Sequence, residues 1–315
     1  MNHIKSYCGS QHASVEIDTS VEIAGVLFKN PITAASGTCG FGTELARHID
    51  VSKIGGIFLK GLTLEPRLGN ALPRVAETSA GMLNSVGLQN PGADFFINEI
   101  LPQIKHFDTR LIANISGNTP GEYCKLAEKL GREVDMLEVN VSCPNVKQGC
   151  MAFGTSASAV ESLVRDIKKS TPLPIIVKLS PNVTDICEIA KAADAGGADA
   201  LSLINTLLGM RIDASSRKIV LHNKVGGLSG PCIKPIAIRM VWQVCSCVRI
   251  PVIGLGGIMS GEDVAEFMLA GARAVSVGTA TLKNPRALLN ICEEFTDYLK
   301  SQGVSRAEDI IGGAV

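Results

Sequence analysis

Cys143 closes the run Leu137-Glu138-Val139-Asn140-Val141-Ser142-Cys143-Pro144-Asn145. Leu137, Val139 and Val141 are apolar while Glu138, Asn140 and Ser142 are polar, an alternation that predicts a strand with two unlike faces. Pro144 has no N–H to give a ladder, so the strand stops there. A thiol is thereby set just past a strand's C-terminal end, with Asn140 and Asn145 beside it. A free thiol has a pKa of about 8.5, so a few per cent of thiolate is available near neutrality to act as a base. The same residue also fits a buried packing cysteine, which is common. The rest of the chain has to decide between the two.

Other polar residues stand at the ends of apolar, strand-like runs. Lys60 ends Gly56-Ile57-Phe58-Leu59-Lys60, Asn114 ends Leu111-Ile112-Ala113-Asn114, Lys178 sits in Ile175-Ile176-Val177-Lys178-Leu179, and Asn205-Thr206 follow Leu201-Ser202-Leu203-Ile204. A lysine in such a run is costly unless its ammonium reaches an anion or a polar cavity. Two lysines and several asparagines at equivalent ends describe a ring of groups around one mouth. Each could also be a separately solvated strand end. Further on, Gly254-Leu255-Gly256-Gly257-Ile258 opens a helix at Ser260-Gly261-Glu262-Asp263, and Gly278-Thr279 follows the last apolar run. Glycines let backbone N–H groups close on an anion and a helix N-terminus adds its dipole, so these two segments suit a phosphate. A fixed ammonium such as Lys178 suits a flavin, which gains negative charge on its pyrimidine edge when reduced. Asn84, Asn140, Asn145 and Asn205 offer the mixed donors and acceptors that a small imide- or lactam-bearing heterocycle needs.

The elements that must position these residues follow a rhythm. Apolar runs near Ile32–Ala35, Gly56–Leu59, Leu111–Asn114, Met136–Val141, Ile175–Leu179, Ala200–Ile204, Val252–Leu255 and Ala274–Val277 read as strands. Helical patterns at Gly121–Leu130, Ser158–Lys169, Asp185–Ala195, Ile233–Cys247, Gly261–Ala270 and Pro285–Lys300 lie between most of them. Alternation of this kind predicts a parallel sheet covered by helices, and eight such strands predict an α/β fold of the (β/α)8 TIM-barrel type. In that fold strand ends on the C-terminal face carry chemistry, and the loops after strands seven and eight often hold phosphate. An open doubly wound sheet is disfavoured, since no G-x-G-x-x-G follows the first strand. Val15–Ile17 and Val21–Phe28 read as N-terminal strands joined near Asp18-Thr19-Ser20, a hairpin under the barrel. The segments Gly61 to Gly92 and Asn205 to Gly230 read as long loops on the active face. The stretch Gly149–Gly154 reads as a shorter, lid-like loop.

Composition bounds the rest. The 315 residues are 46% hydrophobic, ample for one large core, and no linker divides them. Lys+Arg equals Asp+Glu at 30 each without a basic block, which argues against nucleic acid as the main partner. No apolar run nears the ~18 residues of a membrane span, and residues 1–14 lack the apolar stretch of a signal peptide. The ten cysteines are scattered; Cys245-x-Cys247, inside the expected helix, matches neither zinc nor ferredoxin-type spacing. The expectation is a cytoplasmic protein with reduced thiols, no bound metal and one domain over 1–315, with 1–14 an extension of no assigned role.

The chain resembles the class 1 dihydroorotate dehydrogenases, flavin mononucleotide (FMN) enzymes of de novo pyrimidine (UMP) synthesis built on a TIM barrel. Asn140-Val-Ser-Cys143-Pro-Asn145-Val resembles their catalytic loop. The likeness runs from about Ile23 to Ile291 through Asn30-Pro-Ile-Thr-Ala-Ala-Ser36-Gly, Lys60, Met82-Leu-Asn84-Ser-Val-Gly87-Leu88-Gln-Asn-Pro, Lys178-Leu-Ser-Pro-Asn, Ile204-Asn205-Thr206, Gly227-Leu-Ser-Gly230-Pro and Gly256-Gly257. Phe153-Gly154-Thr155 and Ser180-Pro-Asn-Val-Thr-Asp185 look like the NAD-linked 1B subtype rather than the fumarate-using 1A subtype. Class 2 enzymes, with a serine base and a membrane-associating N-terminal extension, resemble it less.

The resemblance implies that Cys143 takes the C5 proton of (S)-dihydroorotate while hydride passes from C6 to the flavin, giving orotate. It implies FMN contacts from Ser36, Lys60, Gly61, Asn114, Asn140, Lys178, Ile204, Gly230, Gly256, Gly257, Gly278 and Thr279. It implies substrate contacts from Lys60, Asn84, Ser85, Val86, Gly87, Leu88, Asn140, Asn145, Asn205 and Thr206, with the carboxylate near Lys60. It further implies a homodimer core joined to an electron-transfer subunit that carries FAD and a 2Fe-2S cluster and passes electrons to NAD+. This chain itself shows neither a cysteine array for a cluster nor a dinucleotide fingerprint.

Some residues stand outside that pattern. Cys150 occupies a position where the family often has glycine, and reads as an idle surface thiol rather than a disulfide partner of Cys143. Cys39 reads as packing rather than a second base, Trp242 reads as packing within an apolar helix, and His48, His106 and His222 show no ligand spacing. Three other functions compete. A flavin barrel for a pyrimidine lacking the carboxylate would not bind orotate. A barrel that only retains flavin would not be bleached by dihydroorotate. A metal-dependent aldolase-type barrel would be colourless and needs a His/Asp/Glu ligand set that the chain does not display.

Overall fold

A computed structural model describes residues 17–141 and 153–314; Cys143, Asn145 and Cys150 lie outside the described residues, as do 1–14. The chain enters through a hairpin of β1 (Val21–Ile23) and β2 (Val26–Phe28), paired antiparallel. Ala24 and Gly25 turn it, with φ of 52° and 79°, the left-handed pair that a two-residue hairpin requires. This corrects the expected single strand over Val21–Phe28, which is itself the hairpin and turns at Ala24-Gly25 rather than near Asp18-Thr19-Ser20; residues 15 and 16 of the other expected strand lie outside the described residues. Asp18 does accept from the Ser20 N–H over 2.9 Å, a local turn that resembles a hairpin signal. Its backbone instead pairs with the far end of the chain, at Ser305 and Ala307.

The barrel strands are β3 (Ile32–Ala34) and β4 (Gly56–Phe58), followed after an excursion by the rest. That excursion carries β5 (Val75–Thr78) and β6 (Gly81–Asn84). Then come β7 (Arg110–Ile115), β8 (Met136–Asn140), β9 (Ile175–Lys178) and β10 (Ala200–Leu203). A second excursion holds β11 (Leu207–Met210), β12 (Ile212–Asp213), β13 (Lys218–Ile219) and β14 (Val225–Ser229), before β15 (Val252–Leu255) and β16 (Ala274–Val277). Strands β3, β4, β7, β8, β9, β10, β15 and β16 close on themselves in that order, all neighbours parallel. The expected TIM barrel is therefore present.

Helices cover it where the apolar periodicity predicts them: Pro120–Leu130, Ala157–Ser170, Ile186–Ala195, Lys234–Cys245, Gly261–Leu269 and Ala287–Ser301. Their starts are set by capping side chains. Thr119 accepts from the Glu122 N–H ahead of Pro120, Asp185 from Cys187, and Ser260 and Asp263 cap each other reciprocally. A helical stretch over 93–104, carrying a wide turn at Phe96–Ile100, fills the gap between β6 and β7 and had no sequence prediction. The Lys234–Cys245 helix ends earlier than expected, leaving Cys247 in the following turn. It also corrects the reading of Trp242. Ala237, Met240, Val241 and Val244 form the buried stripe, so Trp242 falls on the opposite face and is 55% exposed.

The two excursions are not loops. Strands β11, β14, β6 and β5 pair in that order into an antiparallel sheet, with Gly227 opposite Asn84 and Leu228 opposite Leu83. Its small core is Ala76, Leu83 and Leu221. This roof stands on the C-terminal side of the barrel, because both excursions leave from barrel strand ends.

Candidate active site

Strand β8 shows how the barrel uses its two faces. Leu137 and Val139 are fully buried, and so is Glu138. The Glu138 carboxylate accepts from Ser202 Oγ at 2.6 Å and from Asn114 Nδ2 at 2.5 Å. Ser202 lies on β10, two strands away, so Glu138 points across the barrel interior and the polar face is the inner one. Lys178 Nζ sits 3.6 Å from the same carboxylate, with its side chain only 8% exposed. Register places Asn114 opposite Glu138, Asn140 opposite Lys178, and Ser202 opposite Lys178. Four strands thus send polar groups to one point below the mouth. Sequence reading named Asn114 and Lys178 and passed over Glu138 and Ser202; the signal available was the polar half of the 137–142 alternation.

One step nearer the mouth, Asn205 Nδ2 lies 3.4 Å from Asn140 Oδ1. Asn205 Oδ1 accepts from the Thr206 N–H at 2.8 Å, and Asn182 Nδ2 donates to the Thr206 carbonyl at 3.0 Å. The Tyr123 hydroxyl, on the helix outside, donates to the Asn140 carbonyl at 2.8 Å. These bonds fix the strand end from which residues 142–152 depart. Ile204 is 3% exposed, and its N–H donates to the Leu255 carbonyl.

Lys60 forms the other side. Its N–H donates to the Gly40 carbonyl, tying it to the turn after β3. The ammonium lies where a Cβ on Gly37 would come within 3.8 Å of it. Burial, and then the charge of Arg74, push the Lys60 ammonium below its ordinary value of 10.5. Neighbouring Ser36 donates to the Leu59 carbonyl at 2.7 Å. Gly61 presses on Asn114: a Cβ there would meet Asn114 Oδ1 at 2.8 Å and the Leu88 side chain at 3.6 Å. The 85–88 segment is thereby brought over the mouth. Asn84 Nδ2 bonds the Gly227 carbonyl at 3.4 Å, Ser85 donates its N–H to the Arg74 carbonyl, and the Val86 carbonyl accepts from Asn70. Gly87 has φ of 78° and leaves no room for a side chain beside Asn70. The Ser85 hydroxyl is buried with no hydrogen-bond partner among the described residues.

The glycine segments also converge. Gly257 has φ of 80°, and a Cβ on it would stand 2.9 Å from the Gly230 carbonyl oxygen. Gly230 has φ of 104° and lies against Gly81 and Thr279. Thr279 shares a hydrogen bond of 2.9 Å with Ser229. Gly278 faces Ala35 and Thr38 beside Ser36, while Gly256 packs against Ala237 and Ile204. The loops after β14, β15 and β16 therefore meet in one cradle, as a phosphate requires. Cys39, below the Ser36 turn, is buried and its thiol is pushed up to about 12 by desolvation, which marks it as packing rather than a base.

The whole pattern matches the dihydroorotate dehydrogenase family model over residues 19–299. The chain belongs to the dihydroorotate dehydrogenase family. Similar relatives cover nearly its full length. One from Alkaliphilus oremlandii is 54% identical over 293 residues, spanning 93% of this chain and 97% of that protein. Others are from Lachnoclostridium phytofermentans, 51% identical over 94% of this chain and 99% of theirs, and Geotalea uraniireducens, 53% identical over 95% and 98%. All three carry the name dihydroorotate dehydrogenase B (NAD(+)), catalytic subunit. As a dihydroorotate dehydrogenase the chain is an oxidoreductase, and the family's chemistry calls for a flavin. The residues present fit one. Burial beside the Arg74 charge leaves the Lys60 ammonium short of an anion, Lys178 meets Glu138 at an ion-pair distance of 3.6 Å, the Ser85 hydroxyl has no partner among the described residues, and the Gly230–Gly257–Thr279 cradle has no room for side chains. Among the described residues no helix of this dihydroorotate dehydrogenase is long and apolar enough to cross a membrane.

Proposed function

We propose that the chain is the catalytic subunit of an NAD-linked dihydroorotate dehydrogenase, oxidising (S)-dihydroorotate to orotate in de novo pyrimidine synthesis. The observation that carries this reading is the pairing of family membership with two buried or half-buried ammonium groups, Lys60 and Lys178, on a mouth lined by Asn114, Asn140 and Asn205. FMN, when bound, supplies the electron sink that accepts hydride from substrate C6. The Gly230, Gly256, Gly257, Gly278 and Thr279 backbone would hold its phosphate. Ser36, Gly61, Asn114, Asn140 and Ile204 would bound its ring, with Lys178 at the edge that becomes negative. Lys60 would hold the substrate carboxylate, and Asn84 through Leu88, Asn140, Asn145, Asn205 and Thr206 its ring polar groups. Cys143 would take the C5 proton. Its place in the chain supports this role, since it follows β8 by three residues.

The names of the relatives support a separate electron-transfer partner. We read that partner as a subunit with FAD and a 2Fe-2S cluster around a homodimer of this chain, in the cytoplasm, with 1–315 acting as one FMN-binding unit. An absorbance spectrum of the pure chain tests the core of the proposal. Flavin bands are expected, and anaerobic dihydroorotate should remove them; a colourless protein, or bands that persist, refutes it. Cys143→Ala should keep the bands yet lose most of their bleaching. The rate of bleaching in the native chain should rise from about pH 6 to about pH 9 as the thiol ionises.

A further inference from the structure

Glu138 is the one ionisable residue in the floor cluster of Asn114, Glu138, Lys178 and Ser202 that the reaction just described does not use. It is fully buried, and its carboxylate takes hydrogen bonds from Ser202 at 2.6 Å and Asn114 at 2.5 Å, with Lys178 Nζ at 3.6 Å. A buried carboxylate is expensive unless donors and a cation surround it. Here three strands supply them, and two of the suppliers, Asn114 and Lys178, are residues that line the mouth. A leucine or valine on β8 would fill the same space without that cost. Among the described residues Glu138 is the only anion paired with Lys178, whose ammonium then faces the mouth as half of an ion pair rather than as a bare cation.

We propose that Glu138 is a positioning residue that anchors Lys178 and Asn114 from inside the barrel and sets the net charge they present to the bound group. The claim rests on the flavin reading for its functional half only. With Glu138 in place, the positive field at the mouth is damped, so reduced flavin is stabilised less than a lone ammonium would allow. Glu138→Gln keeps the side chain's shape and removes the charge. The unopposed Lys178 should then raise the ratio of affinities for reduced over oxidised FMN roughly tenfold, the scale of one charge removed from a partly screened interior. Lys178→Met should lower the same ratio. An E138Q protein whose ratio is unchanged or lower would overturn the inference.

The pairing itself can be measured without flavin. A urea-unfolding cycle on flavin-free protein compares E138Q, K178M and the double variant. Removing one member of a buried pair strands the other, whereas removing both does not. The double variant's midpoint should therefore lie closer to the native one than that of at least one single variant. A single variant that does not fold while the double variant does gives the same answer. Additive losses, or a double variant no better than the worse single one, would show that the two charges do not act together. A native chain that retains no FMN would sink the functional proposal while leaving this cycle to decide the pair.

Discussion

The phenol of Tyr123 reaches through the wall of the barrel to the main-chain carbonyl of Asn140, 2.8 Å away. Tyr123 is fully buried on the helix that follows β7, and Asn140 is the last residue of β8. A helix outside the sheet thus pins the strand end that leads to Cys143. Tyr123→Phe removes one bond to a part-buried acceptor and should cost about 1 kcal/mol of stability. Denaturant unfolding checks the cost. Bleaching by dihydroorotate should slow in the same variant while bound flavin is retained.

Lys60 carries a charge that its surroundings resist. Its ammonium titrates below 10.5 because of burial first and Arg74 second. In the window between that lowered value and 10.5, the unfolded chain holds more protons than the folded one, so stability rises with pH there. Below the window the full cost of the buried charge is present. Lys60→Met should consequently stabilise the flavin-free protein most near neutral pH, with the gain shrinking near pH 10. Urea midpoints at the two pH values check this. The same variant should bind orotate more weakly, by about tenfold or more, because a charge-assisted contact is lost.

Gly257 should not tolerate a side chain. Its φ of 80° is left-handed, and an added Cβ would fall 2.9 Å from both the Gly230 oxygen and the Lys234 nitrogen. Gly257→Ala should cost ~1–3 kcal/mol and open the cradle. Loss of FMN on gel filtration, with the barrel's circular dichroism retained, is the expected outcome.

Cys39 and Cys232 should differ sharply towards thiol reagents. Burial holds the Cys39 thiol protonated up to about 12, whereas Cys232 is exposed beside the roof. Iodoacetamide near pH 8 should label Cys232 in the folded protein and spare Cys39 until denaturant is added. Cys39→Ala should leave flavin reduction by dihydroorotate in place; its loss would reopen the question of which thiol is the base. Peptide mapping and stopped-flow bleaching give the two readouts.

The barrel could be read from the sequence because its strands are fully buried, apolar runs such as Ile175-Ile176-Val177 and Val252–Leu255, spaced by amphipathic helices with capping residues. Lys60, Asn114 and Lys178 stood out for the same reason: polar groups in apolar runs need an explanation. Glu138 did not stand out, because a polar residue in an alternating strand reads as solvent-facing, and only barrel closure turns that face inward. The roof was missed because its strands are short, rich in glycine, and paired between segments far apart in the chain. Trp242 was misjudged because overall helix hydrophobicity hid which side of the helix faced the sheet.

The stitch between Asn84 and Gly227 spans 143 positions of chain. Neither half of that antiparallel sheet has enough apolar material to stand without the other, since its own core is three residues. The canopy over the mouth is therefore expected to form late in folding, once β7 to β10 have carried the second half round to meet the first. A ligand that touches both halves would act as the fastener, and the protein with its ligand bound should resist proteolytic cutting in 61–92 and 205–230 far better than the protein without it.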